Sequence, residues 1–260
     1  VGAGREVRVG QSRQDLAGET RHRDRRAGWI DHARARVTHV DRENALALRY
    51  DAAPALHATL ETASATARLT GNKLELWLAS QAPELARRAA AEAAEVSELN
   101  TVLYPMPAGG SFDRRLEHDH AIEVAAITRA VGKPVQLTWS RWQEHLAGWP
   151  RTPVAAVLAA KVAQGGAVTG WKARLAMPAS SHEFGRRLFG GQTPQGAMAD
   201  SAGEADSLAM EGAVQPYAIP DMAIEHVPVR IELPTARLRG NAHGYTAFFT
   251  ESFIDELARK

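Results

Sequence analysis

No cysteine occurs in the 260 residues. Disulfides, thiolate-ligated metals and iron–sulfur clusters are therefore excluded within the chain, and any cluster serving it must sit elsewhere. The absence does not fix the compartment: bacterial cytoplasm and periplasm both stay open. No apolar run approaches the roughly 18 residues that span a bilayer, so no membrane span is expected. Charge of one sign is also lacking. Lys and Arg number 31 against 30 Asp and Glu, a net charge of +1, which supplies no overall attraction for nucleic acid or anionic lipid. There is no internal repeat and no low-complexity segment. The Gly-x-Ser-x-Gly elbow of serine hydrolases is absent, as is the Gly-Lys-Ser/Thr ending of a phosphate-binding P-loop. The chain begins at Val1 with no signal-peptide pattern, so a removed leader or a piece of a longer protein is expected.

What is present suits a globular protein: 45% hydrophobic and 23% charged residues. Three parts are expected. Residues 1–50 are polar and Arg-rich (Arg21, Arg23, Arg25, Arg26), and read as a solvated N-terminal stretch, with weak alternation over Arg34–Tyr50 allowing a strand or two. Residues 51–150 form the first ordered unit. Thr66–Leu78 reads as two strands about Gly71-Asn72, because Leu74, Leu76 and Leu78 alternate with Glu75 and Trp77. Pro83 suits a first helical turn, and Glu84–Val96 is rich in helix formers. Thr101–Met106 is a short strand. Leu116–Val131 reads as a helix with Ile122, Ala125, Ala126 and Ile127 on its apolar side, stopped by Gly132 and Pro134. Pro134–Trp139 is another strand. The expected fold class is α+β: a strand-strand-helix-strand-helix-strand unit whose helices lie on one face of a mixed sheet, in two layers. Residues 151–260 read as β-rich. Val154–Val162 and Val168–Met177 form a hairpin, Ala179–Val214 is a long stretch without periodicity, and Met222–Ile231 is a strand. Leu233–Gly244 is a loop, and Thr246–Arg259 is an amphipathic helix with Phe249, Phe253, Ile254 and Leu257 on one stripe.

Few groups suggest chemistry by type and spacing. Gly109-Gly110 lies before a helix and beside Arg114 and Arg115. Adjacent glycines let backbone amides approach a ligand closely, and such a loop can hold an anionic oxygen or phosphate. A tight turn is the competing reading, and a phosphate- or nucleotide-binding loop a third. His118 and His120 are two apart and do not share a helix face, and His57 and Glu61, although four apart, lie in a Pro54-containing, loop-like context. No metal-ligand set is therefore expected.

Six blocks in order resemble a known family. They are Leu56-His57-Ala58-Thr59-Leu60-Glu61 with Ala65-Thr66-Ala67; Leu76-Trp77-Leu78-Ala79-Ser80-Gln81-Ala82-Pro83; Gly109-Gly110-Ser111-Phe112-Asp113-Arg114-Arg115 with Glu117-His118-Asp119; Gly132-Lys133-Pro134-Val135 with Thr138-Trp139-Ser140-Arg141; Pro216-Tyr217-Ala218-Ile219-Pro220; and Glu251-Ser252-Phe253-Ile254-Asp255-Glu256-Leu257-Ala258. Together they resemble the molybdopterin-binding large subunit of the xanthine dehydrogenase and aldehyde oxidase family, in particular its isoquinoline 1-oxidoreductase (beta chain) branch. The resemblance implies a molybdenum hydroxylase acting on an N-heteroaromatic or an aldehyde, with electrons leaving to a small iron–sulfur subunit. It implies molybdopterin as cofactor. It puts Gln81 near the apical side of the metal, gives the loop residues Gly109, Gly110, Phe112 and Asp113 to the cofactor, and makes Arg239 the matching arginine before the last helix. The family's catalytic glutamate follows that helix, so no catalytic residue is nominated here. The chain is expected to be a fragment lacking the C-terminal part, partnered by the remainder of the large subunit. Glu61 and Glu117 are expected to have surface or structural roles.

The chain departs from the family's Gly-Gly-Gly-Phe-Gly-Arg-Arg pattern at two positions. Ser111 would be strained if its position needs a positive φ. Asp113 must point away from an anionic cofactor or pair with Arg114. A folded, non-catalytic module that binds no cofactor is the alternative.

Overall fold

The computed structural model describes residues 6–8 and 45–260. The Arg-rich stretch expected to be solvated, and the alternation between Arg34 and residue 44, lie outside the described residues apart from β1 (Glu6–Arg8).

Two sheets share the work. β2 (Ala45–Ala52), β7 (Val154–Val162), β8 (Val168–Met177) and β9 (Asp221–Pro228) join β1 in a five-stranded sheet of order β1-β9-β8-β7-β2. Between β2 and β7 the chain builds a second, four-stranded sheet. It contains β3 (Ser64–Thr70), β4 (Lys73–Leu78), β5 (Thr101–Pro105) and β6 (Val135–Thr138) in the order β5-β4-β3-β6. The β4–β5 pair is parallel and the other two pairs are antiparallel. The two passages between the sheets run side by side: Ala55 and Arg151 form an isolated antiparallel bridge, and the Arg151 guanidinium donates to the Ala53 carbonyl at 2.7 Å.

The four-stranded unit follows from its pattern. Ala65, Ala67, Leu74, Leu76 and Leu78 all point to one face and are fully buried there. The layer above is α1 (Pro83–Ala93) and α2 (Asp119–Val131). Both helices meet the sheet through small residues, Ala86 and Ala90 on α1 and Ala121 and Ala125 on α2, which lets backbone and sheet approach closely. The expected helix–strand order is thus observed. The expected apolar side of α2 is corrected: Ile122, Ala126 and Ile127 face outward, while Ala121, Val124, Ala125 and Thr128 are buried. A tightly spaced sheet surface accepts the narrow side and leaves the isoleucines out. The first turn expected from Leu116 is instead a 3₁₀ turn over Arg114–Leu116.

In the five-stranded sheet, Leu158, Trp171, Leu175 and Ile224 pack against α6 (His243–Ala258) through Tyr245, Phe249 and Phe253. Trp171 meets Phe253 edge to face at 5.2 Å. The 154–177 hairpin and the closing helix match their expected bounds to within a few residues.

The stretch 179–214, expected to be aperiodic, contains α4 (Ser180–Leu188), α5 (Pro194–Asp200) and a 3₁₀ turn at Leu208–Met210. The cap of α4 comes from far along the chain. Asp206, fully buried, accepts from the amides of Ser181 (2.7 Å) and His182 (3.3 Å), and its other oxygen accepts from Ala209 N at 3.0 Å. Those amides are donors that the first turn leaves unsatisfied, and a carboxylate there also opposes the positive end of the helix dipole. A further helix, α3 (Arg141–Ala147), was not expected, although Ser140 and Gln143 form a reciprocal capping box.

His226 holds Asp206 in turn. Its Nδ1 accepts from Asp206 N at 3.0 Å, so Nε2 carries the proton and donates to Met177 O at 3.1 Å. Burial lowers the imidazole below its usual pKa, with the Met177 carbonyl offsetting only part of this. A base whose folded pKa is depressed contributes stability above its unfolded pKa of about 6.5 and loses it as pH falls through that value. Thermal unfolding followed by circular dichroism should show the melting temperature dropping from pH 7.5 to pH 5. Asp206→Ala, which orphans three amides, should destabilise the fold by about 3 kcal/mol in denaturant titration.

Candidate functional site

The site begins where β5 ends. Residues 106–113 run from the sheet edge to the 3₁₀ turn and fold back over the residues that precede β3. The loop is shaped by left-handed backbone: φ is 54° at Gly110, 51° at Phe112 and 74° at Asp113. Ser111 is not among these residues, so the strain considered for it does not arise. The positive angles that side chains must tolerate fall on Phe112 and Asp113; aspartate is among the residues that accept one best, whereas an aromatic side chain is strained by it. At Gly109 an added Cβ would lie 2.7 Å from the Glu61 carboxyl, and at Gly110 2.5 Å from the Leu60 side chain. Gly110 is favoured by its positive φ and by the Leu60 side chain packed against it, whereas at Gly109 the neighbour is the movable end of Glu61; Leu60 N donates to Gly110 O at 3.1 Å.

Among the described residues, no acceptor meets the amides of Ser111, Phe112 or Asp113. Phe112 and Asp113, both with positive φ, form the middle of a tight turn closed by the bond from Arg114 N to Ser111 O at 2.9 Å, and the unbonded amides of such a turn are donors that can serve an anion. Gln81 lies beside them. Its backbone N donates to Arg115 O at 2.9 Å, its Nε2 donates to Asp113 Oδ1 at 3.0 Å, and its Oε1 accepts from Ser111 Oγ at 2.8 Å. Arg239 reaches the loop through its backbone, donating N–H to Phe112 O at 3.1 Å, and leaves its side chain exposed. All six residues expected at the site, Gln81, Gly109, Gly110, Phe112, Asp113 and Arg239, are thus brought together around one loop. A cavity of about 240 Å³ opens beside the loop, with Glu61, Thr66, Trp77, Met106, Gly109 and Ser111 in its walls.

The expected charge arrangement is corrected. Asp113 does pair, but with Arg237 (Nε to Oδ2, 3.1 Å) and not with Arg114. Arg114 and Arg115 do not present their charges to the loop's outer side; they are 2% and 4% exposed. Arg114 binds Asp119 at 2.6 Å, and Arg115 grips both oxygens of Glu144 at 3.0 and 3.2 Å. Burial pushes the Glu144 carboxyl up, but the bonds from Arg115 and from the Ala63 amide, with the Arg114 charge, bring it below the usual carboxylate range. His57 Nε2 lies 2.6 Å from Arg237 O; burial, with a small contribution from the Arg114 charge, outweighs that carbonyl and lowers the imidazole's pKa. His120 is committed to the Ala79 carbonyl at 3.0 Å.

Two residues that sequence reasoning passed over hold the loop's flanks. The guanidinium of Arg187 on α4 binds Glu117 at 2.6 Å, Glu183 at 3.1 Å and Thr235 O at 2.8 Å, and lies 5.1 Å from the Trp149 ring centroid. Glu183 also accepts from Thr235 N at 2.6 Å and Thr235 Oγ1 at 3.0 Å. Burial raises the Glu183 carboxyl, only partly countered by the Thr235 amide and Arg187. Glu117, expected to have a surface or structural role, is a member of this buried cluster.

Comparison with known proteins adds a family. The model of the molybdopterin cofactor-binding domain matches residues 5–185. One of the subunits of nicotinate dehydrogenase from Pseudomonas putida is 26% identical over 218 residues, covering 78% of this chain and 17% of its own length. The beta chain of isoquinoline 1-oxidoreductase from Brevundimonas diminuta, also a subunit, is 27% identical over 188 residues, 72% of this chain and 23% of its own length. Among solved structures, quinoline 2-oxidoreductase from Pseudomonas putida 86 superposes with a TM-score of 0.63 at 17% identity, over 84% of this chain and 27% of that one. Aldehyde oxidoreductase from Desulfovibrio gigas gives 0.60 at 17% identity, over 83% and 23%. The chain thus spans about a fifth of the length of the curated relatives it matches.

Arg187→Met should cost about 3–5 kcal/mol, because two carboxylates stay buried without their cation. Both would then have raised folded-state pKa values, so the loss should grow as pH rises above the carboxylate range and shrink near pH 4. Urea titrations of the variant at pH 4 and pH 8 would measure this; equal losses at both would contradict the assignment.

Proposed function

Because this chain belongs to the molybdopterin cofactor-binding domain family, we propose that it forms the cofactor-holding part of a molybdenum hydroxylase large subunit, with loop 109–113, Gln81 and Arg239 against the cofactor. The observation that carries this function is the loop itself: among the described residues three of its amides meet no acceptor, its backbone is left-handed at Gly110, Phe112 and Asp113, it packs on a side-chain amide, and the exposed Arg237 and Arg239 lie next to it.

The donor set fits the group. Molybdopterin is anionic, and the loop offers it the N–H donors of Ser111, Phe112, Asp113 and Gln81 with the Arg239 guanidinium nearby, while the Glu61 carboxyl lies on the Gly109 side. The nearest carboxylate, Asp113, is already matched by Arg237 and Gln81. The described residues hold no cluster of three or more His, Asp or Glu that could ligate a metal ion; a metal held by the cofactor's own sulfurs needs none. When bound, the cofactor supplies two-electron redox and oxygen-transfer chemistry. The amides of Ser111, Phe112 and Asp113 would bind its oxygens, Arg239 would balance its charge, and the buried Arg115–Glu144 pair would keep the loop from yielding. No residue of this chain is given the role of base.

The substrate proposed is an N-heteroaromatic, the class to which nicotinate, isoquinoline and quinoline in the names of the similar proteins belong; an aldehyde is the second class. Two of the relatives are named as subunits, which supports a partner subunit, here an iron–sulfur one that takes the electrons, and the rest of a large subunit.

Metal analysis and pterin fluorescence after oxidation, on the protein purified with its partner chains, should find both molybdenum and pterin. A folded complex lacking both would leave a non-catalytic module. Gly110→Ala adds a Cβ where φ is 54° and Leu60 is in the way, a strain of about 1–2 kcal/mol. Retained pterin should fall roughly tenfold with the circular dichroism spectrum unchanged.

A further inference from the structure

We propose that Ser111 and Asp113 are positioning residues that hold the side-chain amide of Gln81 in a single orientation, so that its free N–H is a fixed donor toward a bound anionic oxygen, a role that rests on the cofactor-binding function above.

A glutamine side chain ends in a group with a donor side and an acceptor side of nearly equal shape, and rotation by half a turn exchanges them. At a site for an anionic oxygen the two orientations have opposite effects: one offers N–H, the other a repelling carbonyl. Something must therefore choose. Ser111 cannot choose alone, because a hydroxyl both donates and accepts. It donates to Gln81 Oε1 at 2.8 Å, but it could equally accept from an amide. Asp113 can choose, since a carboxylate paired with a guanidinium only accepts. Its Oδ1 takes Gln81 Nε2 at 3.0 Å, and the flipped amide would set carbonyl against carboxylate.

Asp113 is itself held. Its Oδ2 takes Arg237 Nε at 3.1 Å, and Arg237 O lies 2.6 Å from His57 Nε2 on a buried imidazole. The backbone end of Gln81 is fixed by the bond from its N to Arg115 O at 2.9 Å, on a residue anchored to Glu144. Both ends of the glutamine are therefore fixed: one N–H and the carbonyl are used, and one N–H remains. These two side chains stand where the pattern that the chain resembles has glycines, which have nothing to hold an amide with. The orientation of Gln81 is thus a property of this chain's own loop. The glycine-like backbone is kept, with φ 74° at Asp113.

The test is the side-chain amide signal of Gln81 in the ¹⁵N-labelled chain, assigned by its loss in Gln81→Ala. In the unaltered protein both protons should be displaced from the values of a free glutamine, whose two protons already differ in shift, and the one bound to Asp113 should be protected from exchange. In the double variant Ser111→Gly, Asp113→Gly they should collapse to the values of a free glutamine. Glycine at 113 relaxes a positive φ, so the fold should persist; if it does not, Ser111→Ala, which removes only the hydroxyl, should still shift the carbonyl-side signal. An unchanged Gln81 pair in the double variant or in Ser111→Ala overturns the proposal. In complex with the partner chains, the double variant should retain pterin about tenfold less well, as loss of two hydrogen bonds implies. If the unaltered complex carries no pterin, the cofactor function fails while the amide signature still decides the positioning.

Discussion

Among the described residues the guanidinium of Arg187 is the cation bound to two buried carboxylates, Glu117 and Glu183, and one further bond goes to Thr235 O. Taking three charges out of water is costly, and the arrangement is tolerable only because nearly every lone pair and donor is matched and the Trp149 face covers the cation. Geometry makes this cluster matter. Glu117 lies four residues past Asp113, and Thr235 lies two before Arg237 and four before Arg239. One side chain on α4 therefore fixes both strands of chain that meet at the loop, one from the four-stranded unit and one from the segment leading into α6. If Arg187 moved, Phe112 O and Arg239 N would lose their register.

A second consequence concerns charge. Arg114 and Arg115 follow the loop directly and would, on position alone, be its anion holders. Their burial against Asp119 and Glu144 turns them into supports. The exposed guanidinium beside the loop that is not matched there is that of Arg239, more than a hundred residues later, while Arg237 balances Asp113. This division separates rigidity from binding: the buried pairs resist movement in a low dielectric, while the exposed donors stay free for a ligand.

Much of the fold was legible because its signals are local. The four-stranded unit announces itself by alternation in Leu74–Leu78, by Pro83 at a helix start and by Gly132 at a helix end. α3 is equally legible, since Ser140 and Gln143 are a local capping signature. α4 was not legible. Its N-terminal amides are satisfied by Asp206, more than twenty residues downstream, and its inner side is polar, carrying Glu183 and Arg187 where an apolar stripe would be sought. The outward isoleucines of α2 misled for a related reason: hydrophobicity marks a face only when the facing surface has room for it, and this sheet accepts alanines.

The sequence by itself determined the strand and helix order of the central unit, the glycine pair of the loop and, through six ordered blocks, the family. Those are properties of spacing and residue type, carried along the chain. Only the tertiary structure decided which charges are spent inside the protein and which remain for a ligand. Arg115 is internal because Glu144 comes to it from α3, and Asp113 is harmless because Arg237 comes to it from the far end of the chain. The same folding placed Gln81 between Ser111 and Asp113. A hydrogen bond or ion pair depends on ångström distances between groups far apart in sequence, and no local pattern encodes them.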